Sequence, residues 1–111
     1  MSTIIHREIK MSHDRIIVKV DSDLEELIPG FLENRKKDLI SLIEALKNKN
    51  YPGMQSTGHS LKGVGGGYGF AQLSELGAQI ENSAKASDSE ALAQHIQQLG
   101  DYLERVEVVF E

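Results

Sequence analysis

Apolar residues at Leu92, Ile96, Leu99, Leu103, Val106 and Phe110 follow one another in unbroken steps of four and three. That spacing stacks them along one face of an α-helix and predicts a final helix reaching Phe110. The same rhythm recurs upstream. Leu73, Leu76, Ile80 and Ala84 predict a second stripe, and Leu24, Leu27, Ile28, Phe31, Leu32, Leu39, Leu42, Ile43 and Leu46 a third. Pro29 interrupts the third stripe, so it either kinks one long helix or opens the main one. The polar run Lys47 to Asn50, followed by Pro52, closes it. A further helix is expected from about Tyr51 into a glycine-rich stretch. Ser22 with Glu25, and Ser87 with Glu90, have the spacing of capping boxes at two helix starts. Short connections favour antiparallel neighbours. The expected fold is all-α, an antiparallel up-down four-helix bundle over residues 21–111 with a short N-terminal extension.

That extension, residues 1–20, reads differently. Ile16, Val18 and Val20 alternate with Ile17 and Lys19, which suggests a short extended segment packed on the domain.

The chain's 111 residues allow one domain with one modest core. Its 40% hydrophobic and 26% charged residues are ordinary for a globular protein. No apolar run approaches the roughly 18 residues a membrane span needs, and no signal-peptide pattern opens the sequence. With no cysteine, disulfides and thiolate chemistry are excluded, and a reducing cytoplasm fits. The net charge of −5 argues against nucleic-acid binding, whose affinity comes mainly from neutralised phosphates. Arg35, Lys36 and Lys37 do cluster, but Glu33 and Asp38 flank them, the pattern of a solvated helix face.

Local propensity fails between Gly58 and Phe70. Six of the ten glycines lie between positions 58 and 69. Each glycine inside a helix costs about 1 kcal/mol relative to alanine. Departures from good propensity concentrate where function demands them. In a helix, Lys62, Gly63 and Gly66 share a face with His59, while Gln55 and Ser56 lie on that side one turn earlier. Met54, Leu61 and Val64 turn toward the core. His59 then stands on the surface beside a cation, over two positions without side chains. Neutral imidazole is a competent nucleophile near pH 7. The Lys62 ammonium can offset the charge of a phosphorylated ring. Gly63 and Gly66 leave clearance for a partner's active site.

The string His59-x-x-Lys62-Gly63, with Gly66 and Gly69 following, resembles the signature of histidine-containing phosphotransfer (HPt) domains. Leu27 to Leu32 also looks like that family's first core helix, and the resemblance spans roughly residues 21–110. Val64 departs from the alanine or serine more frequent there. The resemblance implies a phosphorelay intermediate in the cytoplasm. His59 would take a phosphoryl group from the aspartate of a receiver domain, or from a histidine kinase's relay, and pass it to a response regulator. It implies electrostatic support from Lys62, and partner access over Gln55, Ser56, Gly63, Gly66 and Phe70. It also implies a monomer that binds no ATP and no cofactor of its own, with Mg2+ held by the receiver partner.

The glycine stretch lacks the pattern and strand–loop–helix context of a nucleotide-binding loop. His6, His13 and His95 have no metal-ligand spacing, so no metal site is expected. Tyr68 and Phe70 read as packing residues, with Phe70 close enough to border a partner. An HPt-like adaptor without chemistry is the alternative, but it would not need the His59–Lys62 pair. A tight bundle offers little room for a small-molecule pocket.

Overall fold

The computed structural model describes residues 14–111. The remainder of the N-terminal extension, with His6 and His13, lies outside the described residues. Strand β1 (Ile16–Val20) leads into a 3-10 turn (Ser22–Leu27). Four helices follow: α1 (Ile28–Lys47), α2 (Tyr51–Tyr68), α3 (Ala71–Lys85) and α4 (Ser89–Arg105). Strand β2 (Val106–Phe110) ends the order.

Pro29 starts α1 rather than kinking it, because a first-turn residue has no intrahelical N–H bond to lose. Where a side chain caps, it is Asp21, Asn50 or Asp88 rather than the expected Ser22 and Ser87, and α1 and α3 begin at Leu27 and Phe70 without a side-chain cap. Asp21 Oδ1 accepts from Asp23 N at 2.9 Å, ahead of the 3-10 turn. Asp88 Oδ1 accepts from Ala91 N at 3.1 Å, while Ser87 takes a left-handed φ of 52° just before it. Asn50 caps α2 through Gly53 N at 3.0 Å, with Pro52 in the first turn.

The core runs through all four helices. Leu42 of α1, Met54 and Leu61 of α2, Leu73 and Ile80 of α3, and Leu92 and Leu99 of α4 are fully buried. Leu27 and Ile43, placed on the buried stripe by their spacing, are instead about half exposed, at 53% and 47%. Ile43 lies beside Leu39, Ala93, Ile96 and Gly100 in an open groove between α1 and α4.

The last helix is shorter than its spacing predicts. It stops at Arg105, and Val106 to Phe110 pair in parallel with β1, Ile16 facing Val106, Val18 facing Val108 and Val20 facing Phe110. The chain is therefore built on four helices, consistent with the expected all-α fold, and carries in addition a short two-stranded sheet. The reason is a coincidence of periods. Val106 and Phe110 continue the helical stripe, but Val106, Val108 and Phe110 also alternate, and β-branched valines favour a strand. The alternating residues turn toward the core, and Glu107 and Val109 turn outward. A parallel pair needs a long crossover, and here the four helices supply it.

Candidate functional site

Helices α2 and α3 meet at glycine. A Cβ placed on Gly58 would lie 2.6 Å from Glu81 N and 2.8 Å from Gly77 O. One on Gly65 would lie 2.7 Å from Ser74 N. One on Gly77 would in turn lie 2.5 Å from Lys62 N. Residue numbers rise along α2 as they fall along α3, so this pair is antiparallel. Only bare backbone permits so close an approach. Ser74 Oγ, donating to Lys62 O at 2.8 Å, ties the two helices across it.

The close approach brings a residue of α3 to His59. Its side chain is 72% exposed, yet Nδ1 lies 3.0 Å from Oε2 of Glu81. The other carboxylate oxygen, Oε1, is 4.0 Å from Nζ of Lys62. Glu81 itself is largely buried, its side chain 12% exposed, and its two oxygens face the His59 ring and the Lys62 ammonium. An ionised carboxylate only accepts hydrogen bonds, so the ring donates through Nδ1–H. In the neutral ring this leaves the lone pair on Nε2, the nitrogen turned away from Glu81.

The expected site residues divide in two. His59 and Lys62 share one exposed face, with Gly63 and Gly66 exposed beside them. Gln55, half buried, and Ser56, exposed, line a shallow groove with Pro52, His59 and Glu81. Phe70 is not part of this surface. It is fully buried, its ring stacked on Phe31 at 4.8 Å, with Tyr68 stacked on Phe31 at 4.5 Å. Gly69, at φ 87°, ends α2 in a left-handed turn that sends the next residue inward. Arg35 also departs from expectation. Its guanidinium lies over the Phe31 ring at 4.8 Å and bonds Asp38 at 2.8 Å, so it is packed, while Lys36 and Lys37 are solvated.

The glycines sort by their surroundings. Gly58 and Gly65 serve the α2–α3 approach, and Gly69 serves the turn. A Cβ on Gly63 or Gly67 would meet nothing within 4 Å, and one on Gly66 only Ser74 Oγ at 3.7 Å. Internal packing gives no reason for glycine at those three.

Glu81 was not found from the sequence. It lies 22 residues from His59, and no periodicity links the two. Gly77, one turn before Glu81 and opposite Gly58, was the available hint of a close crossing. His95 bonds Gln98 Oε1 at 3.2 Å, away from this site. Among the described residues, no three histidine or acidic side chains gather to hold a metal ion. No described helix is long and apolar enough to cross a membrane.

Compared with known proteins, residues 26–108 match the family model described as the Hpt domain. No curated protein and no solved structure matches the chain significantly.

Proposed function

The chain belongs to the Hpt domain family, whose members act in the phosphotransfer of two-component signalling, and from that premise we propose that His59 is its phosphoryl carrier. His59 takes the group from a receiver-domain aspartate or a kinase relay and gives it to a response-regulator aspartate. The observation that carries this reading is the Nδ1–Glu81 hydrogen bond on a ring otherwise open to solvent.

Nε2, bearing the lone pair, attacks phosphorus in line. The phosphorus–oxygen bond to the partner's aspartate breaks, and its electron pair stays on the carboxylate. Lys62 offsets the charge that arrives on this face. Gly63 and Gly66 keep the approach clear, a role favoured by the lack of any packing reason for glycine there. The receiver partner supplies Mg2+, and this chain supplies neither ATP nor metal. We take the protein to act in the cytoplasm as a monomer, its helices in an up-down bundle of which the α2–α3 reversal is one step.

The test mixes the protein with a phosphorylated receiver domain and Mg2+ and assays for acid-labile, alkali-stable phosphate. Label should appear, and His59→Gln should abolish it. Label that survives this substitution would assign the carrier role to another residue.

A further inference from the structure

We infer that the open groove between α1 and α4 is the docking site of the chain's own first residues, Ile4 to Met11. The inference is independent of the phosphocarrier reading, since the groove belongs to α1 and α4 and His59 to the α2–α3 crossing.

The groove is apolar along its floor and acidic at one end. Leu39 and Ile43 of α1 and Ala93, Ile96 and Gly100 of α4 line the floor, and Asp101 and Glu104 stand at the end where α4 finishes. A Cβ on Gly100 would meet only the Leu39 methyls, the nearer at 3.6 Å, so glycine keeps the floor low. Single apolar side chains on a surface need no explanation, but a continuous apolar strip marks a place where something binds.

The point at which the chain enters the fold decides the occupant. Asp14 O accepts from Arg105 Nε at 2.6 Å, and the same guanidinium bonds Asp101 Oδ2 through Nη1 at 2.8 Å. The thirteen residues before Asp14 are thus tethered one side chain away from the acidic end of the groove. From Ala93 to Glu104 the groove runs about 16 Å, at the helical rise of 1.5 Å per residue. Thirteen residues cover that length at any rise between about 1.5 and 3.3 Å each. The tether also makes docking intramolecular, at an effective concentration on the order of millimolar, so a small contact suffices.

The side chains of the segment match the groove. Ile4, Ile5, Ile9 and Met11 suit its floor, Arg7 and Lys10 suit Asp101 and Glu104, and Glu8 is the one acid among the thirteen. Glu104 makes no ion pair among the described residues. A second groove opens beside Asp101, between α3 and α4, but Gln72, Glu75, Gln79 and Gln98 line it. Isoleucine gains little against amides and a carboxylate, which directs the segment to the α1 side.

The test uses the whole chain, which has no cysteine of its own, so that His6→Cys carries one nitroxide. In 1H–15N spectra the label should broaden the amides of Ile43 and Ala93 more than that of Arg105. A segment that does not dock gives the reverse order, broadening most the residues nearest its tether, and overturns the inference. Adding Arg7→Glu and Lys10→Glu should relieve the broadening at Ala93 by about threefold or more, because like charges then meet at the groove end. Unchanged broadening would overturn the match of charges on which the inference stands. Spin-labelled chain at natural isotope abundance is also mixed with 15N-labelled wild type. Broadening of Ile43 and Ala93 in that mixture would give the groove to a second copy and overturn the inference, whereas its absence, with broadening in the singly labelled chain, supports docking within one molecule.

Discussion

Gly58 and Gly77 face each other so that a Cβ on either would stand 2.8 Å from the carbonyl oxygen of the other. Because the obstructing atoms are backbone, neither helix can yield by turning a side chain. Gly58→Ala or Gly77→Ala should therefore lower stability in urea denaturation by about 1–3 kcal/mol, the cost of overpacking a tight contact. Either change should also lengthen the His59–Glu81 bond, visible as a shift of the ring 15N resonances.

Gly63→Leu is expected to behave in the opposite way. The site is open, and leucine is the better helix former by roughly 0.8 kcal/mol, so the fold should be as stable as wild type or more so. Transfer from a phosphorylated receiver should slow by about tenfold or more, the loss of roughly 1.4 kcal/mol of transition-state binding. A wild-type rate in a stopped-flow or rapid-quench assay would remove the clearance role.

Lys62→Ala should leave the helix intact and reduce the phosphotransfer rate by about tenfold, with partial recovery in Lys62→Arg. Lys62 is half exposed, so raising the salt concentration should narrow the gap between wild type and the alanine variant.

Tyr102 provides a test of the core. Its hydroxyl is buried without a hydrogen-bond partner among the described residues, and burial pushes the phenol from 10.0 to about 12. Between those values the unfolded chain ionises while the folded chain does not. The unfolded state then binds fewer protons, so stability present in full below pH 10 falls as pH rises toward 12, by about 2–3 kcal/mol in all. Tyr102→Phe should remove that component of alkaline destabilisation and be neutral or stabilising at pH 7, because no hydrogen bond is lost. Urea denaturation at pH 7, 10 and 11 checks both.

The helices and the His59–Lys62 face were legible because both are local. Steps of three and four residues fix which side chains share a face, wherever the helix goes. The end of α4 was not legible, since Val106 and Phe110 satisfy the helical and the extended period at once. Only a distant strand, β1, decides between them. Glu81 escaped for a related reason: the crossing that brings it to His59 depends on three glycines in two helices, a match between segments rather than a pattern within one. Phe70 was misplaced because its position relative to the surface is set by the left-handed turn at Gly69, after which helical counting from His59 no longer applies.

The strand pair has a bearing on how the molecule assembles. Each rung of the ladder joins residues 90 positions apart, and beside it Arg105 Nε donates to Asp14 O at 2.6 Å. Bringing such distant segments together carries an entropic penalty that only a nearly complete bundle can offset. The ladder should be the last element to form on refolding and the first to open. Amide exchange at Val18 and Val108 should therefore outpace that at Leu61, and act as a built-in gauge of whether the four helices have closed.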